Sequence, residues 1–376
     1  MNVKNSSIRI LALIPYKVFP AVMGGQKGIA LCYKSLSKLI SLQAITTQKN
    51  EPNESYPVFP ILSNSKFRYL NTFLYFILQK KRKEQQSTHI LFEHPYYAWL
   101  LWLTSKTSSI KTIVHSHNIE SERFHSIGKW WWKIMWYYER WAYRTADHVW
   151  FKTDEDRNYA VIHYGLKAER CVTIPYGIEP NALPEKTIIQ AMRDRIRERH
   201  QVNQDEKIIL FNGTLSYKPN LDALDHILHR ILPLLNQKGL RFKILVCGKG
   251  LPDSYDELKA FIQEGMVYCG FVDDIDEYFL AADLFLNPLQ DGGGIKTKLV
   301  EALGFGIPSV SSKNGAIGVP ANITAGRLQV VSDKDWPAYA QAIEELLLKS
   351  FNDDHDAFYR MFNWDHIAAR AVESLG

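Results

Sequence analysis

The sequence predicts an α/β protein built from two doubly wound domains that face each other across a cleft. Three observations carry this. Short runs rich in Ile, Val and Leu alternate with longer stretches of helical periodicity, the pattern of parallel sheets wrapped by helices. The series breaks once, at a Pro- and Asn-containing stretch over residues 179–185, and then restarts. The 376 residues are enough for two domains of ordinary size, each with a core of its own.

Taken in order, the first run is IRILALI at residues 8–14. It carries Arg9 and stops at Pro15, so it reads as a buried strand and not as a cleavable leader. Further strands are expected at 89–92 and 111–114, with weaker ones at 43–46 and 148–151. TIPYGI at 173–178 leads into the break, read as a linker. A charged helix over 191–199 opens the second series. Strands follow at 208–211, 242–246, 267–269, 284–286 and 309–310, with a helix over 221–235 behind the first of them. Near the end, Ile367, Ala368, Val372 and Leu375 share a helical face over 366–375, with Asp365 as its expected N-cap.

Composition narrows the function. No run approaches the roughly 18 apolar residues that cross a bilayer. Cys32, Cys171, Cys247 and Cys269 are far apart and form no CxxC, which fits a reduced cytoplasmic setting without a disulfide framework or structural zinc. Residues 1–180 hold 24 Lys+Arg against 13 Asp+Glu, a formal +11, whereas 181–376 hold 21 against 27, a formal −6. The basic half fits phosphate, nucleic acid or an anionic membrane surface. No recognised nucleic-acid motif accompanies it, so nucleic acid is not expected as a partner.

The chemistry centres on DGGGIKTKLVEALG, from Asp291 to Gly304. It follows a strand that stops at Pro288. Gly292, Gly293 and Gly294 let backbone N–H groups approach a ligand without a Cβ in the way. Ile295, Leu299 and Leu303 recur at helical spacing, so a helix begins here with its positive end at the loop. Backbone donors, dipole and Lys296 or Lys298 together make a phosphate site. Glu301 cannot favour a phosphate, but it can accept both hydroxyls of a ribose. The GxxxxGK[ST] and GxGxxG spacings are absent. A second stretch, FNGTLSYKPN at 211–220, ends a strand at Gly213 and places Lys218 before a helix at the same sheet edge. Two cationic loops at strand ends suit a diphosphate.

These stretches, with Val246-Cys247-Gly248-Lys249-Gly250, Gly270-Phe271-Val272-Asp273-Asp274 and Ala282–Pro288, resemble in order and spacing the retaining GT-B glycosyltransferases of group 1, or family 4. The likeness covers most of residues 205–310. It is weaker in the first half, where it rests on Gly24-Gly25, His117-Asn118-Ile119-Glu120 and Ile174–Ile178. The resemblance implies two Rossmann-like domains: residues 1–180 on the acceptor side, and 181–354 binding the nucleotide sugar. It also implies a terminal segment, 355–376, crossing back to the first domain. It implies Glu301 on the donor ribose, Lys218 and Lys298 on the diphosphate, and Gly24-Gly25 as a turn closing over the phosphates. Phe271 and Val272 would border the base, and His117 would lie near the sugar. His117, Lys218 and Glu301 are the expected catalytic group. Gly213, Asn220, Gly293, Gly294 and Ile295 join the donor site. The other reading of His117 is a strand-end histidine satisfied by backbone. Many relatives carry a glutamate eight positions before the ribose glutamate. Here that position is Gly293, so backbone N–H groups would meet the sugar.

The expected function is transfer of a sugar from a UDP- or GDP-type donor to a lipid-linked or polysaccharide acceptor, with retention and without a metal or other cofactor. A nucleotide-sugar epimerase or hydrolase, and a non-catalytic nucleotide-sugar binder, are the alternatives. YLNTFLYFIL at 69–78, followed by Lys80-Lys81-Arg82-Lys83, and WWWKIMWYYERWAYR at 130–144, with five of the ten tryptophans, raise a membrane question. Aromatics and basic residues in this arrangement fit peripheral contact with anionic lipid. They equally fit ordinary amphipathic helices packed on a sheet.

Overall fold

In the computed structural model, which describes residues 7–21, 24–51 and 55–376, the chain forms two compact units. One is Met1–Gly177 with Phe362–Gly376, the other Ile178–Met361.

The first unit is a parallel sheet of β1 (Arg9–Leu13), β2 (Ser41–Thr47), β3 (Val58–Leu62), β4 (His89–Glu93), β5 (Lys111–Ser116), β6 (His148–Phe151) and β7 (Cys171–Thr173). Its order is β3-β2-β1-β4-β5-β6-β7. The helices are α1 (Gly24–Leu39), α2 (Leu74–Glu84), α3 (Ala98–Thr107), α4 (Glu120–Ser126), α5 (Trp132–Thr145) and α6 (Asp154–Tyr164). β1 and β4 are buried along almost their whole length, as two-sided parallel strands must be. Leu11, Leu13, Ile90, Phe92 and Val114 anchor a core shared with the helices.

The second unit begins with α7 (Lys186–His200) and has β8 (Lys207–Asn212), α8 (Lys218–His226), α9 (Leu232–Gln237), β9 (Phe242–Cys247), β10 (Met266–Gly270) and α10 (Ile275–Ala281). It continues with β11 (Leu284–Asn287), α11 (Thr297–Gly304), β12 (Ser309–Ser312), β13 (Leu328–Val331), α12 (Trp336–Leu348) and α13 (Asp356–Phe362). The sheet order is β10-β9-β8-β11-β12-β13, all parallel. The order therefore reverses between β8 and β11 here, and between β1 and β4 in the first unit. Ligands of open α/β sheets bind outside the carboxyl ends of the strands at such a reversal.

Several expectations change. β3, β7 and β13 were not foreseen. All three are short edge strands, and β3 carries Pro60, so none shows a two-sided apolar run. The helix expected over 221–235 is α8 and α9 joined by a π turn at Ile227–Ile231. Pro233 lies just beyond; it has no N–H to give and its ring crowds the preceding turn, which widens to admit it. The final helix is α14 (Trp364–Glu373), and its N-cap is Asn363, whose side chain accepts from the Asp365 N–H. Asp365, the expected cap, instead accepts from Ser35 Oγ at 2.8 Å and Lys38 Nζ at 2.7 Å on α1. Segment 355–376 does not act as one piece. His355 and Tyr359 bond to the carbonyls of Leu303 and Gly304, each at 2.8 Å, within the second unit. α14 buries Trp364, Ile367, Ala368 and Ala371, packs on α1, and receives Trp150 Nε1 on Ser374 Oγ at 3.1 Å, within the first.

Candidate functional site

In the second unit the strand ends are locked to one another through backbone. Gly213 takes φ 154° and donates to the Cys247 carbonyl at 2.9 Å. A Cβ on Gly248, at φ 157°, would overlap the Gly213 carbonyl, so the loops after β8 and β9 approach as only glycine allows. Asn220, buried at the start of α8, donates to the Thr214 carbonyl at 3.0 Å and accepts from Lys298 at 2.9 Å. Lys298 Nζ also donates to the Asn212 carbonyl at 2.9 Å. Burial, reinforced by the neighbouring Lys296, pushes the Lys298 ammonium down to about 7 against the pull of Glu301.

Lys296 has a different role. Its Nζ folds back and donates to the carbonyls of Gly292 at 2.7 Å and Gly294 at 2.9 Å, closing the glycine loop around itself. Gly292 and Gly294 take φ of 97° and 67°, so the loop does use glycine's conformational freedom, whereas Gly293 is exposed without a positive φ. Ile295 and Glu301 are half-buried, Glu301 one turn beyond Lys298 on α11.

The structure does not bring Lys218 to this cluster. Its side chain is 82% exposed, and its Nζ donates to Asp222 Oδ2 at 2.5 Å one helical turn on. Phe271 and Val272 follow β10 and line a cavity of about 400 Å³ with Arg195, Arg199 and Tyr278. Gly24 and Gly25 are the first residues of α1 rather than a turn, and a Cβ on Gly25 would meet nothing within 4 Å. The close approach falls one turn later, where a Cβ on Gly28 would lie 3.0 Å from the Tyr176 ring.

The sequence reading missed a set of amides. Among the described residues, Asn212 Oδ1, Asn287 Oδ1, both side-chain atoms of Gln290 and Asn314 Oδ1 are buried without a hydrogen-bond partner. They follow the ends of β8, β11 and β12, which adjoin in the sheet. Buried amides are normally paired, so four such residues at one edge leave polar atoms for water or a polar ligand to meet. Asn287 is fixed by giving its Nδ2 to Ser311 Oγ and the Gly315 carbonyl, each at 2.9 Å. A usable signal was present: an asparagine closing an otherwise apolar strand.

The first unit has a site of another kind at the ends of β4 and β5. Glu93 stands in register with His115. Its buried carboxylate accepts from Tyr33 Oη at 2.7 Å, His115 Nδ1 at 2.9 Å and His117 Nε2 at 2.6 Å. Burial opposes that charge, but the two imidazoles outweigh it and hold the carboxyl well below its usual range. Burial and then His94 keep His117 well below the ordinary imidazole range, against the pull of Glu93. The ligand atoms of Glu93, His115 and His117 lie within 4.8 Å of one another, near enough to surround an ion. Both imidazoles already spend an N–H on the carboxylate, and His115 Nε2 is buried without a hydrogen-bond partner among the described residues. Behind the cluster lies Lys152, buried, its Nζ without a partner among the described residues and its charge disfavoured chiefly by burial. His-x-His at a strand end was the sequence signal for this cluster, because residues i and i+2 share a face.

Two doubly wound parallel sheets with strand-end polar sites define a GT-B architecture. Residues 206–349 match the family described as Glycosyl transferases group 1, and residues 39–182 match Glycosyltransferase Family 4. The chain belongs to the group 1 GT-B glycosyltransferases. It is 17% identical to Anabaena Alr3699/HepE, solved in complex with UDP, over 98% of this chain and 99% of that one, with a TM-score of 0.71. The sucrose-phosphate synthase of Thermosynechococcus elongatus is 16% identical over 97% and 98% of the two chains, with a TM-score of 0.70. The uncharacterized glycosyltransferase MJ1607 of Methanocaldococcus jannaschii is 26% identical over 243 residues, 59% of this chain and 54% of that protein. The alignments thus span about half the length of the curated relatives.

Proposed function

We propose that the chain transfers a sugar, with retention, from a nucleoside-diphosphate donor held by the second unit to a lipid-linked or glycan acceptor. The observation that supports this is the strand-end edge of the second unit, which holds Lys298 on the Asn212 carbonyl and leaves side-chain atoms of Asn212, Asn287, Gln290 and Asn314 without a partner among the described residues. A diphosphate needs a cation and N–H donors; a ribose and a sugar need amides and a carboxylate, here Glu301. As the sugar departs, charge grows on the diphosphate. Fixed donors aimed at it contribute roughly 3–4 kcal/mol each to the transition state. No protein nucleophile is assigned. Structures of HepE with UDP and with UDP-glucose favour a UDP-type donor. A thermal-shift series with UDP, GDP, ADP and CMP tests this, because a ligand that binds the native state raises the melting temperature by mass action. No shift with any diphosphate would reject the donor site.

An anionic membrane surface is the proposed partner of the first unit, because it leaves a set of large apolar side chains outside its core. Phe67, Leu70, Phe73 and Phe76 around α2, and Trp130, Ile134 and Tyr137 around α5, are all exposed. Trp102 of α3 meets Trp141 of α5 at 6.5 Å, and Tyr75 of α2 bonds to Thr107 of α3 at 2.9 Å, so the three helices form one surface. Lys80, Lys83, Lys133 and Arg144 stand exposed on it. Each basic residue near anionic lipid adds about 1 kcal/mol. Flotation should show binding to phosphatidylserine vesicles, weakened by salt and by changing Lys80–Lys83 to glutamine. Equal indifference to anionic and neutral vesicles would point to a soluble acceptor.

A further inference from the structure

We propose that Glu93 and His94 are positioning residues for His117, holding its ring with Nε2–H turned into the protein and Nδ1 presented as a fixed hydrogen-bond acceptor for a hydroxyl-bearing ligand. The inference rests on the transferase reading above, in which His117 lies near the sugar.

Glu93 is 1% exposed and accepts from three donors, so it acts through its neighbours and not on a ligand. The 2.6 Å contact with His117 Nε2 sets the tautomer: a neutral imidazole that donates there carries its lone pair on Nδ1. One hydrogen bond still leaves the ring free to swing about the N–O line. His94 removes that freedom. Its ring lies nearly parallel between Tyr96, at 4.9 Å and 7°, and His117, at 4.4 Å and 21°.

The backbone makes the stronger argument. His94 takes φ 64° and ψ 162°, a region almost confined to glycine. Its N–H is tied to the His115 carbonyl at 3.0 Å, which holds the conformation in place. Glycine would occupy this position without strain. A strained histidine has to be explained by what its imidazole touches: it stacks on Tyr96 and His117, meets Tyr16 edge-on at 5.5 Å and sets Nδ1 3.5 Å from Glu120 Oε1, and of these His117 is the group that the transferase reading sets beside the sugar. Strain of this kind persists where the surroundings over-determine it, chiefly at functional sites.

The test separates ring from backbone. His94→Gly and His94→Ala both delete the ring, but only alanine keeps the strain. His94→Gly should therefore melt higher than His94→Ala, while both lose turnover of UDP-glucose about 10–100-fold with KM within about 3-fold, the size expected for a misaligned group. His94→Tyr, which keeps a stacking ring, should recover part of the rate. If turnover instead follows stability, with His94→Gly near wild type, His94 is only structural and the proposal falls. Imidazole nitrogen NMR at pH 7 reads the other half directly. His117, identified by loss of its signals in His117→Ala, should carry its proton on Nε2, and Glu93→Gln should move it toward Nδ1. A wild-type proton on Nδ1 overturns the assignment. So does zinc that co-purifies with wild type and is lost in Glu93→Gln, because the cluster would then be a metal site. Should neither UDP-glucose nor GDP-mannose turn over, the spectra and melting curves decide alone. Unchanged turnover in His117→Ala would reject His117 as a sugar contact, a failure of the functional reading that the spectra distinguish from a failure of the positioning claim.

Discussion

The two strand-end sites solve opposite problems. In the first unit the ionisable groups are tied to one another: Glu93 accepts from Tyr33, His115 and His117, and a buried carboxylate with three donors has little left to offer a ligand itself. In the second, Asn212, Asn287, Gln290 and Asn314 are neutral amides with atoms left unpaired, and the nearby cation, Lys298, is held at low charge. Saturating a site with internal bonds fixes direction. Leaving amides unpaired costs stability and keeps capacity for a polar ligand. The first arrangement suits a single oriented contact, the second a ligand with many oxygens.

The sharpest way to break this contrast is Lys298→Ala. It should cut turnover about 100–1,000-fold, the loss typical of one donor aimed at developing charge. It should weaken UDP far more than uridine in calorimetric titration. Equal losses for both would make Lys298 a structural tie between Asn212 and Asn220.

Glu301→Ala should come next. Hydrogen bonds from ribose hydroxyls to a carboxylate contribute about 1.5–3 kcal/mol, so donor affinity should fall roughly 10–100-fold with an unchanged melting curve. Normal kinetics in the folded variant would remove Glu301 from the site.

A pH dependence follows from Lys298. Its ammonium loses its proton near pH 7 when folded, against an ordinary value of 10.5. Between those values the unfolded chain binds the extra proton, so this group makes stability rise with pH across that window. Diphosphate binding works the other way, because it draws the proton back. UDP affinity should fall as pH rises from 7 to 9. Calorimetry in buffers of different ionisation enthalpy should show proton uptake, absent in Lys298→Met.

The smallest effect should be that of Lys218→Ala. An exposed pair within one helix is worth little, so UDP affinity should change by less than about 3-fold. A loss as large as that of Lys298→Ala would show that Lys218 leaves Asp222 when the donor binds.

How much of this was legible beforehand depends on burial. Two-sided strands such as β1, β4, β8 and β11 announce themselves as apolar runs, and so do the glycine loop and the lysine-bearing α11. Strands β3, β7 and β13 do not, because each is short and none shows a two-sided apolar run. At the site, residue type pointed to Lys218 and Lys298 alike. Only the fold tells them apart, since one reaches the Asn212 carbonyl and the other pairs along its own helix. The family resemblance implied a phosphate turn at Gly24-Gly25, yet the glycine of α1 with a close neighbour is Gly28. Glu93 and His94 were invisible as a pair because the histidines they meet, His115 and His117, come from β5 and the loop after it.

The covalent path through the units has a consequence for synthesis. α1 has its partner helix, α14, at the far side of the entire second unit in sequence. On a ribosome adding about 5–20 residues per second, residues 178–361 take roughly 10–40 s to appear. Through that interval the first unit already has all seven of its strands but α1 lacks its partner helix, while the second is still being made. The unit begun first is completed last, and it is the one whose exposed aromatics and unfinished helix face most invite a chaperone.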